Sequence, residues 1–320
     1  YGDDRDLHSF PTRRSSDLYR PVYFFAEAEG AIRGVLPLFH VRSLFTGHVL
    51  ISSPFAVYGG VLAVDETAEQ ALLEGCQSHA RVSGASCIEL RQRVPCRHPA
   101  LQTNDSLYCT FVKSIPVSPE QCLSALPKEA RRMVRKGQNG GLTGRITTTD
   151  LNDFYNVYAA SVRHLGTPVF SIHLFENCLQ ELKDDADVLM IYHGRQPVAG
   201  VLSFYYRQTV LPYYGGSVPG KSRLAPNNFM YWSLMHHAGS RGYTLFDFGR
   251  SKRSTGAFDF KRHMGFEPIV LPYQYDVLNG KAVPNINPTN AKFRLAIMAW
   301  RHLPLAVTKL LGPRLVKAFP

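Results

Sequence analysis

One pattern in this chain occurs twice, and it limits the fold more than any other feature. The segment from Glu29 reads EGAIRGVLPLFHVRSL and then ISSPFAVYGG, followed by a helical stretch near Glu66 to Ser83 and the apolar run SCIELRQ. The segment from His193 reads HGRQPVAGVLSFYYRQTVLPYYGG, followed by a helical stretch from Asn227 to Arg241 and the run YTLFDFG. Both run turn, strand, strand ending in Tyr-Gly-Gly, helix, strand. Gly34-Val35-Leu36 answers to Gly200-Val201-Leu202, and Tyr58-Gly59-Gly60 to Tyr214-Gly215-Gly216. A unit repeated in the same order is expected to fold twice. Strands alternating with helices make each copy an α/β domain.

The strands are read from β-branched and aromatic runs between Gly and Pro punctuation. Asp187 to Tyr192 and Val198 to Tyr206 form a hairpin across His193-Gly194-Arg195-Gln196, with Thr209 to Tyr214 next and Tyr243 to Phe248 last. Helices follow from spacing of 3.6 residues: Phe154, Tyr158 and Val162 share one face, as do Leu174, Cys178 and Leu182, and Tyr231, Leu234, Met235 and Ala238. Two helical pieces, Pro119 to Leu126 and Lys128 to Lys136, open the second half. The expected borders are a first domain over 19–116, a second over 117–284 and a basic helical tail over 285–320.

Residues 1–18, YGDDRDLHSFPTRRSSDL, match the translation of a sequencing-library adapter at every position but Asp4. They are read as a scar and set aside. The native N-terminus is then expected to be missing, and the first domain to be cut at its start. Without the three Arg and four Asp of that stretch, 33 basic residues face 21 acidic ones, a net charge of +12. Such a surface suits an anionic partner, whether nucleic acid, a phosphorylated ligand or an anionic membrane face. The six cysteines are scattered without a C-x-x-C pair, which fits reduced cytoplasmic thiols and neither a disulfide frame nor a zinc site. No metal is expected. No apolar run reaches the ~18 residues of a spanning helix. From Asn285 the tail holds six Lys or Arg and no acidic residue, with Phe293, Ile297 and Trp300 on one face. It can dock on the protein with a basic outer face, or lie on an anionic membrane.

The candidate chemistry gathers in FDFGRSKRSTGAFDFKRHMGF, Phe246 to Phe266. Transfer of an acyl group to an amine needs a proton acceptor, a stabilised oxyanion and a held donor. Asp247 ends a strand on the face opposite Phe246 and Phe248, so it can orient or deprotonate an amine, or cap the next turn. Lys261 lies in a short helix begun by Thr255 and Gly256, where it can stabilise an oxyanion. Arg250 and Lys252 are expected to hold donor phosphate, and Ser251 and Phe260 to be among the substrate-binding residues. Tyr213, Tyr214 and Asn228 belong to the same end of the sheet, although Tyr is a common core residue and Asn a common cap. A second basic cluster, Arg131, Arg132, Arg135 and Lys136, forms stripes on one helix. These stripes can meet phosphate or nucleic acid, or simply face water. There is no G-x-G-x-x-G after a strand, no P-loop and no G-x-S-x-G elbow.

FDFGRSKRSTGAFDFKRHMGFEP, with LGTPVF, VLPYYGG, NNFMYW and NPTNAKFRLAIMAW in the same order, resembles the FemAB-like proteins of the PEP-CTERM and exosortase group. The resemblance implies two tandem GNAT-like α/β domains with mixed central sheets. It also implies an acyl- or aminoacyltransferase that modifies an amine on a cell-envelope or exopolysaccharide precursor. The co-substrate would be aminoacyl-tRNA or acyl-CoA, with no tightly bound cofactor. The protein would be cytoplasmic or peripheral at the inner face of a bacterial membrane. Two departures bear on the donor. No long charged heptad stretch matches the coiled-coil arm of the peptidoglycan members, and no Arg/Gln-x-x-Gly-x-Gly/Ala loop opens the Asn227 helix, where coenzyme A pyrophosphate would bind. The alternative is a non-catalytic protein of the export machinery that binds a glycan or lipid-linked precursor.

Overall fold

The computed structural model describes residues 19–43, 46–149, 151–278 and 291–318. The adapter-like stretch 1–18 and residues 279–290, which include the start of the tail, lie outside them. In chain order the first elements are β1 (Tyr19–Ala28), β2 (Ala31–Ser43), β3 (Gly47–Ile51), β4 (Leu62–Ala63), α1 (Glu66–Ser83), β5 (Cys87–Leu90) and β6 (Gln102–Asn104). Then come β7 (Tyr108–Ser114), α2 (Pro119–Ser124), α3 (Lys128–Asn139), β8 (Leu142–Thr147), α4 (Asn152–Leu165) and α5 (Ile172–Leu182). The hairpin strands are β9 (Ala186–His193), β10 (Gln196–Tyr206) and β11 (Thr209–Ser217), followed by α6 (Pro226–Ser240) and β12 (Leu245–Asp247). Last are β13 (Ser251–Lys252), α7 (Gly256–His263), β14 (Pro268–Val270), β15 (Tyr273–Val277), α8 (Ala291–His302) and α9 (Leu305–Leu315).

Two units result, each built on a mixed sheet. The first takes residues 19–109 and returns for 270–278; the second takes 110–269 and the tail helices to Val316. The expected border after 116 therefore gives way to one inside β7, and residues 270–278 rejoin the first unit. The first sheet runs β1-β2-β3-β5-β15-β6, and the second β13-β7-β12-β11-β10-β9-β8. The duplication is topological. β2 and β3 are antiparallel and β3 and β5 parallel across α1, as β10 and β11 are antiparallel and β11 and β12 parallel across α6. In each sheet the next strand is antiparallel and comes from outside the repeat: β15 beside β5, β7 beside β12.

The residue match inside the repeat is shifted by one. A Cβ on Gly34 would meet Leu72 of α1 at 2.9 Å, whereas one on Gly200 would meet Phe154 of α4 at 3.2 Å and Met190 at 2.5 Å. The two glycines thus face opposite sides of their sheets, because side chains alternate with a period of two. The Tyr-Gly-Gly pair also differs. Tyr214 to Gly216 lie within β11, but β3 ends at Ile51 and Tyr58 to Gly60 form a loop.

In the first unit, Leu36, Leu38 and Leu50 pack under Leu72, Leu73 and Ala80 of α1. The opposite face buries Phe39, Val41, Ile51 and Tyr273. In the second, Phe154, Tyr158 and Val162 of α4 and Phe175 of α5 pack on Val188, Met190 and Leu202. The tail docks on this same unit. Trp300 Nε1 donates to the Thr167 carbonyl (3.2 Å), and Gly312 sits where any Cβ would strike Val169 at 2.8–2.9 Å. All six cysteines are free and buried.

Candidate active site

The geometry starts where two parallel strands part. β11 and β12 pair only at Thr209–Leu245 and Val210–Phe246, yet β11 continues to Ser217. Past Val210 β11 and β12 no longer pair, and the two strands diverge toward their carboxyl ends. Open α/β sheets bind ligands at such ends. β10 and β11 carry a register shift there, with Leu202 opposite Tyr214 but Ser203 opposite Pro212. Tyr213 is the extra residue of this β-bulge. Bulges re-aim side chains and are common beside active sites. The Tyr213 ring lies 5.1 Å from Phe204, while Tyr214 stacks edge-on into Tyr158, Phe170 and Phe175. Tyr214 is thus a core residue with its hydroxyl pKa raised by burial, as the ordinary role of Tyr allowed.

The two glycines after it serve close approach. A Cβ on Gly215 would lie 3.0 Å from the Tyr231 hydroxyl, and one on Gly216 would lie 2.6 Å from Ser161 Cβ. Helix α6 and helix α4 therefore press on opposite sides of β11 at this point. Tyr231 spans the parting strands, with its hydroxyl at β11 and its ring 4.8 Å from Phe248 and 5.6 Å from Phe260. Burial pushes its hydroxyl pKa up to about 12, so it stays protonated and able to donate. Sequence periodicity had placed Tyr231 on an apolar helix face. The signal that marks it is the tight Gly215, which needs the structure to be seen.

Beyond β12 the chain turns at Gly249 (φ 65°). Asp247, buried, accepts from Gly249 N (2.8 Å) and Thr110 Oγ1 (3.1 Å) through Oδ1. Lys261 Nζ donates to the carbonyls of Phe248 (2.8 Å), Gly249 (3.0 Å) and Arg250 (3.2 Å), with the Phe111 and Phe248 rings near it. One carboxylate and one ammonium thus clamp the same three-residue loop. Asp247 holds its N–H side and Lys261 its carbonyl side. Helix α7 follows as expected, with Thr255 as N-cap accepting from Phe258 N. Phe260, on this helix, faces Tyr231 and Phe248, and Arg250, Ser251 and Lys252 occupy the clamped loop and β13. Asn228 Nδ2 contacts Met264 Sδ at 3.3 Å, which ties the start of α6 to the end of α7.

The basic cluster stands apart in character. Helix α3 packs by Ala130, Val134 and Gly137, and Gly137 lies close against Phe229 of α6. Arg132 pairs with Glu129 on the exposed face, Arg131 caps the Ser124 carbonyl, and Arg135 and Lys136 are exposed. Among the described residues, no group of three or more His, Cys, Asp or Glu is placed to hold a metal ion.

The first unit lacks this divergence. Past β3 and β5 the chains stay joined: Ser52 N donates to Glu89 O (2.9 Å), and Gly59 N to Arg91 O (2.8 Å). Arg91 N donates to Ser52 Oγ (2.8 Å), and buried Arg91 also reaches the Ala56 carbonyl (3.2 Å). Its own loop stays bonded where the strands of the second unit diverge.

Residues 125–262 match the family model of the acetyltransferase (GNAT) domain. This is a tandem GNAT-like fold. FemX is similar over 82% of this chain and 89% of its own, with a TM-score of 0.61 at 15% identity. So is the DUF2156 C-terminal domain of an Agrobacterium fabrum protein described as a lysylphosphatidylglycerol synthetase, over 82% and 85%, with a TM-score of 0.57 at 13% identity. A tandem GNAT protein from the clavulanic acid biosynthesis pathway is similar over 82% and 84%, with a TM-score of 0.51 at 10% identity. No curated protein matches the chain by sequence. The family match falls within the unit whose strands part.

Proposed function

We propose that the second unit is the catalytic unit of an acyl- or aminoacyltransferase, and that the first is a closed, non-catalytic copy. The observation that carries this is the contrast at equivalent places: β11 and β12 part around the Tyr231 hydroxyl, whereas the first unit bridges the gap with its own loop. In the transfer, the acceptor amine attacks the carbonyl carbon of the donor. A C–N bond forms and the carbonyl oxygen becomes an oxyanion. Collapse expels the donor sulfur or ribose oxygen, which gains a proton as the amine loses one. Tyr231 is proposed to donate to the developing negative charge. The bulge at Tyr213 and the part of β11 that diverges from β12 are proposed to hold the donor. Asp247 and Lys261 are positioning residues that fix the loop carrying Arg250, Ser251 and Lys252, whose charge suits a phosphate-bearing donor.

The donor is acyl-CoA or aminoacyl-tRNA, and the exposed Arg135 and Lys136 on α3 would meet a tRNA only in the second case. The acceptor is proposed to be an amine on a cell-envelope or exopolysaccharide precursor at the cytoplasmic side of the membrane. The motif resemblance supports the link to the PEP-CTERM and exosortase group. A screen of labelled acyl-CoA and aminoacyl-tRNA donors against amine acceptors tests the reading. Transfer that a Tyr231→Phe protein lowers tenfold or more in kcat, with its fold intact, upholds it.

A second reading is a precursor-binding protein without turnover. One observation favours it: the Asp247 carboxylate and the Lys261 ammonium are both engaged with the protein's own backbone. Tight binding of a lipid- or nucleotide-linked glycan with no transfer from any donor would select it.

A further inference from the structure

The tail helices bury one face and leave a second apolar face in water. Their inner side carries Ile297, Trp300, Thr308 and Gly312, with Trp300 and Thr308 nearly fully buried. Trp300 and Arg301 bond the 165–167 turn, and the Arg163 guanidinium bonds the Leu303 carbonyl. Docking therefore accounts for that side. It does not account for the other.

On α8, Leu295, Met298, Ala299 and His302 follow one another at i, i+3, i+4 and i+7, and all are exposed. On α9, Leu310, Leu311 and Leu315 are exposed beside Arg314, with Leu310 at 69% and Leu295 at 73% of full exposure. An exposed stripe of large apolar side chains on two adjoining helices marks a surface that something covers. The charge says what. From Asn285 to Pro320 there are six Lys or Arg and no Asp or Glu; Arg301 and Lys309 bond the Leu165 carbonyl and Asn156, and Arg314 is exposed beside the leucines. Leucines with basic neighbours and no acid are the composition of helices that lie in the interface of an anionic bilayer. Each helix is short, and no helix among the described residues is long and apolar enough to cross a membrane. The contact is therefore one made along a surface.

We propose that the outward face of α8 and α9 rests on an anionic lipid surface, with Leu295, Met298, Leu310, Leu311 and Leu315 among the acyl chains and Arg314 at the headgroups. This stands apart from the transferase reading and needs no turnover to be tested. If that reading also holds, the contact brings the second unit to lipid-linked acceptors.

The test is co-sedimentation of the purified chain with vesicles of phosphatidylcholine alone, or with phosphatidylglycerol added to about a third. Binding is expected to the anionic vesicles, to weaken as salt rises, and to fall by on the order of tenfold or more in the Leu310→Ser, Leu311→Ser, Leu315→Ser protein. A thermal melt by circular dichroism checks that this variant keeps its fold. A Leu310→Trp protein gives a second reading, with its emission shifting to the blue on anionic vesicles. Sedimentation no greater than with phosphatidylcholine overturns the proposal. So does binding that the three serines leave unchanged. A concentration-dependent dimer that those serines abolish, with no vesicle binding, assigns the face to a second copy and also overturns it.

Discussion

At the residue scale, the site turns on the Tyr231 hydroxyl at Gly215 and on the Lys261 ammonium, which holds three loop carbonyls. Tyr231→Phe keeps the ring against Phe248 and Phe260 and removes only the hydroxyl at Gly215. The expected outcome is an unchanged melting temperature with kcat reduced tenfold or more, read by transfer kinetics and a thermal melt. Lys261→Met strips the donor from three carbonyls. It is expected to cost about 1–2 kcal/mol by urea denaturation, with activity lost through the loop, and Lys261→Arg is expected to recover part of both. Gly216→Ala drives a Cβ to 2.6 Å from Ser161, on a packed helix that cannot yield cheaply, and is expected to cost about 1–3 kcal/mol. Gly256→Ala, with nothing within 4 Å, is the control and is expected to be neutral. Asp247 and Lys261 stand out in the sequence by their places, at a strand end and on a short helix beside a basic turn. Their engagement with the loop was not, because carbonyl partners leave no mark on residue type.

At the scale of elements, β2, β3 and α1 bring three histidines into a chain. His40 Nδ1 lies 2.8 Å from His48 Nε2, and His40 Nε2 lies 2.9 Å from His79 Nε2. Burial is the largest cause that lowers His40, to about 4, with His48, His79, Arg42 and Arg20 adding to it. His48 is lowered too, first by burial and then by Arg42. A folded pKa below the unfolded 6.5 means the unfolded chain binds more protons. Stability of the first unit is then full above about pH 6.5 and is expected to fall as pH drops toward 4. Denaturant midpoints at pH 7.5 and 4.5 measure this, and His40→Gln is expected to shrink the difference.

Most elements were legible in the sequence. α1 runs over Glu66–Ser83, the two short helices after Ser118 are present, and the hairpin of β9 and β10 sits where the Gly194 turn placed it. The repeat was right in order and wrong in phase. Gly-Val-Leu recurs in both copies, but a shift of one residue reverses the faces of a strand, and letters alone do not carry that phase. The exchange of β7 and β15 was hidden for a related reason. Partners of a sheet edge can come from anywhere in the chain, and the apolar pattern of a strand does not name its neighbour.

At the scale of the molecule, two copies of one topology have taken different courses. In the first the loop from Ser52 to Gly60 bonds to Glu89 and Arg91, and in the second β11 and β12 part after Val210. One donor per chain is therefore expected, and two would contradict the account. The measurement that tests it most directly is native mass spectrometry of the chain with each class of donor, followed by amine transfer from the donor that binds. The expected result is a single adduct and turnover that falls tenfold or more with Tyr231→Phe and is untouched by Arg93→Ala, which removes a guanidinium lying 4.9 Å over the Tyr58 ring in the first unit. Two adducts per chain, or transfer indifferent to Tyr231, would contradict it.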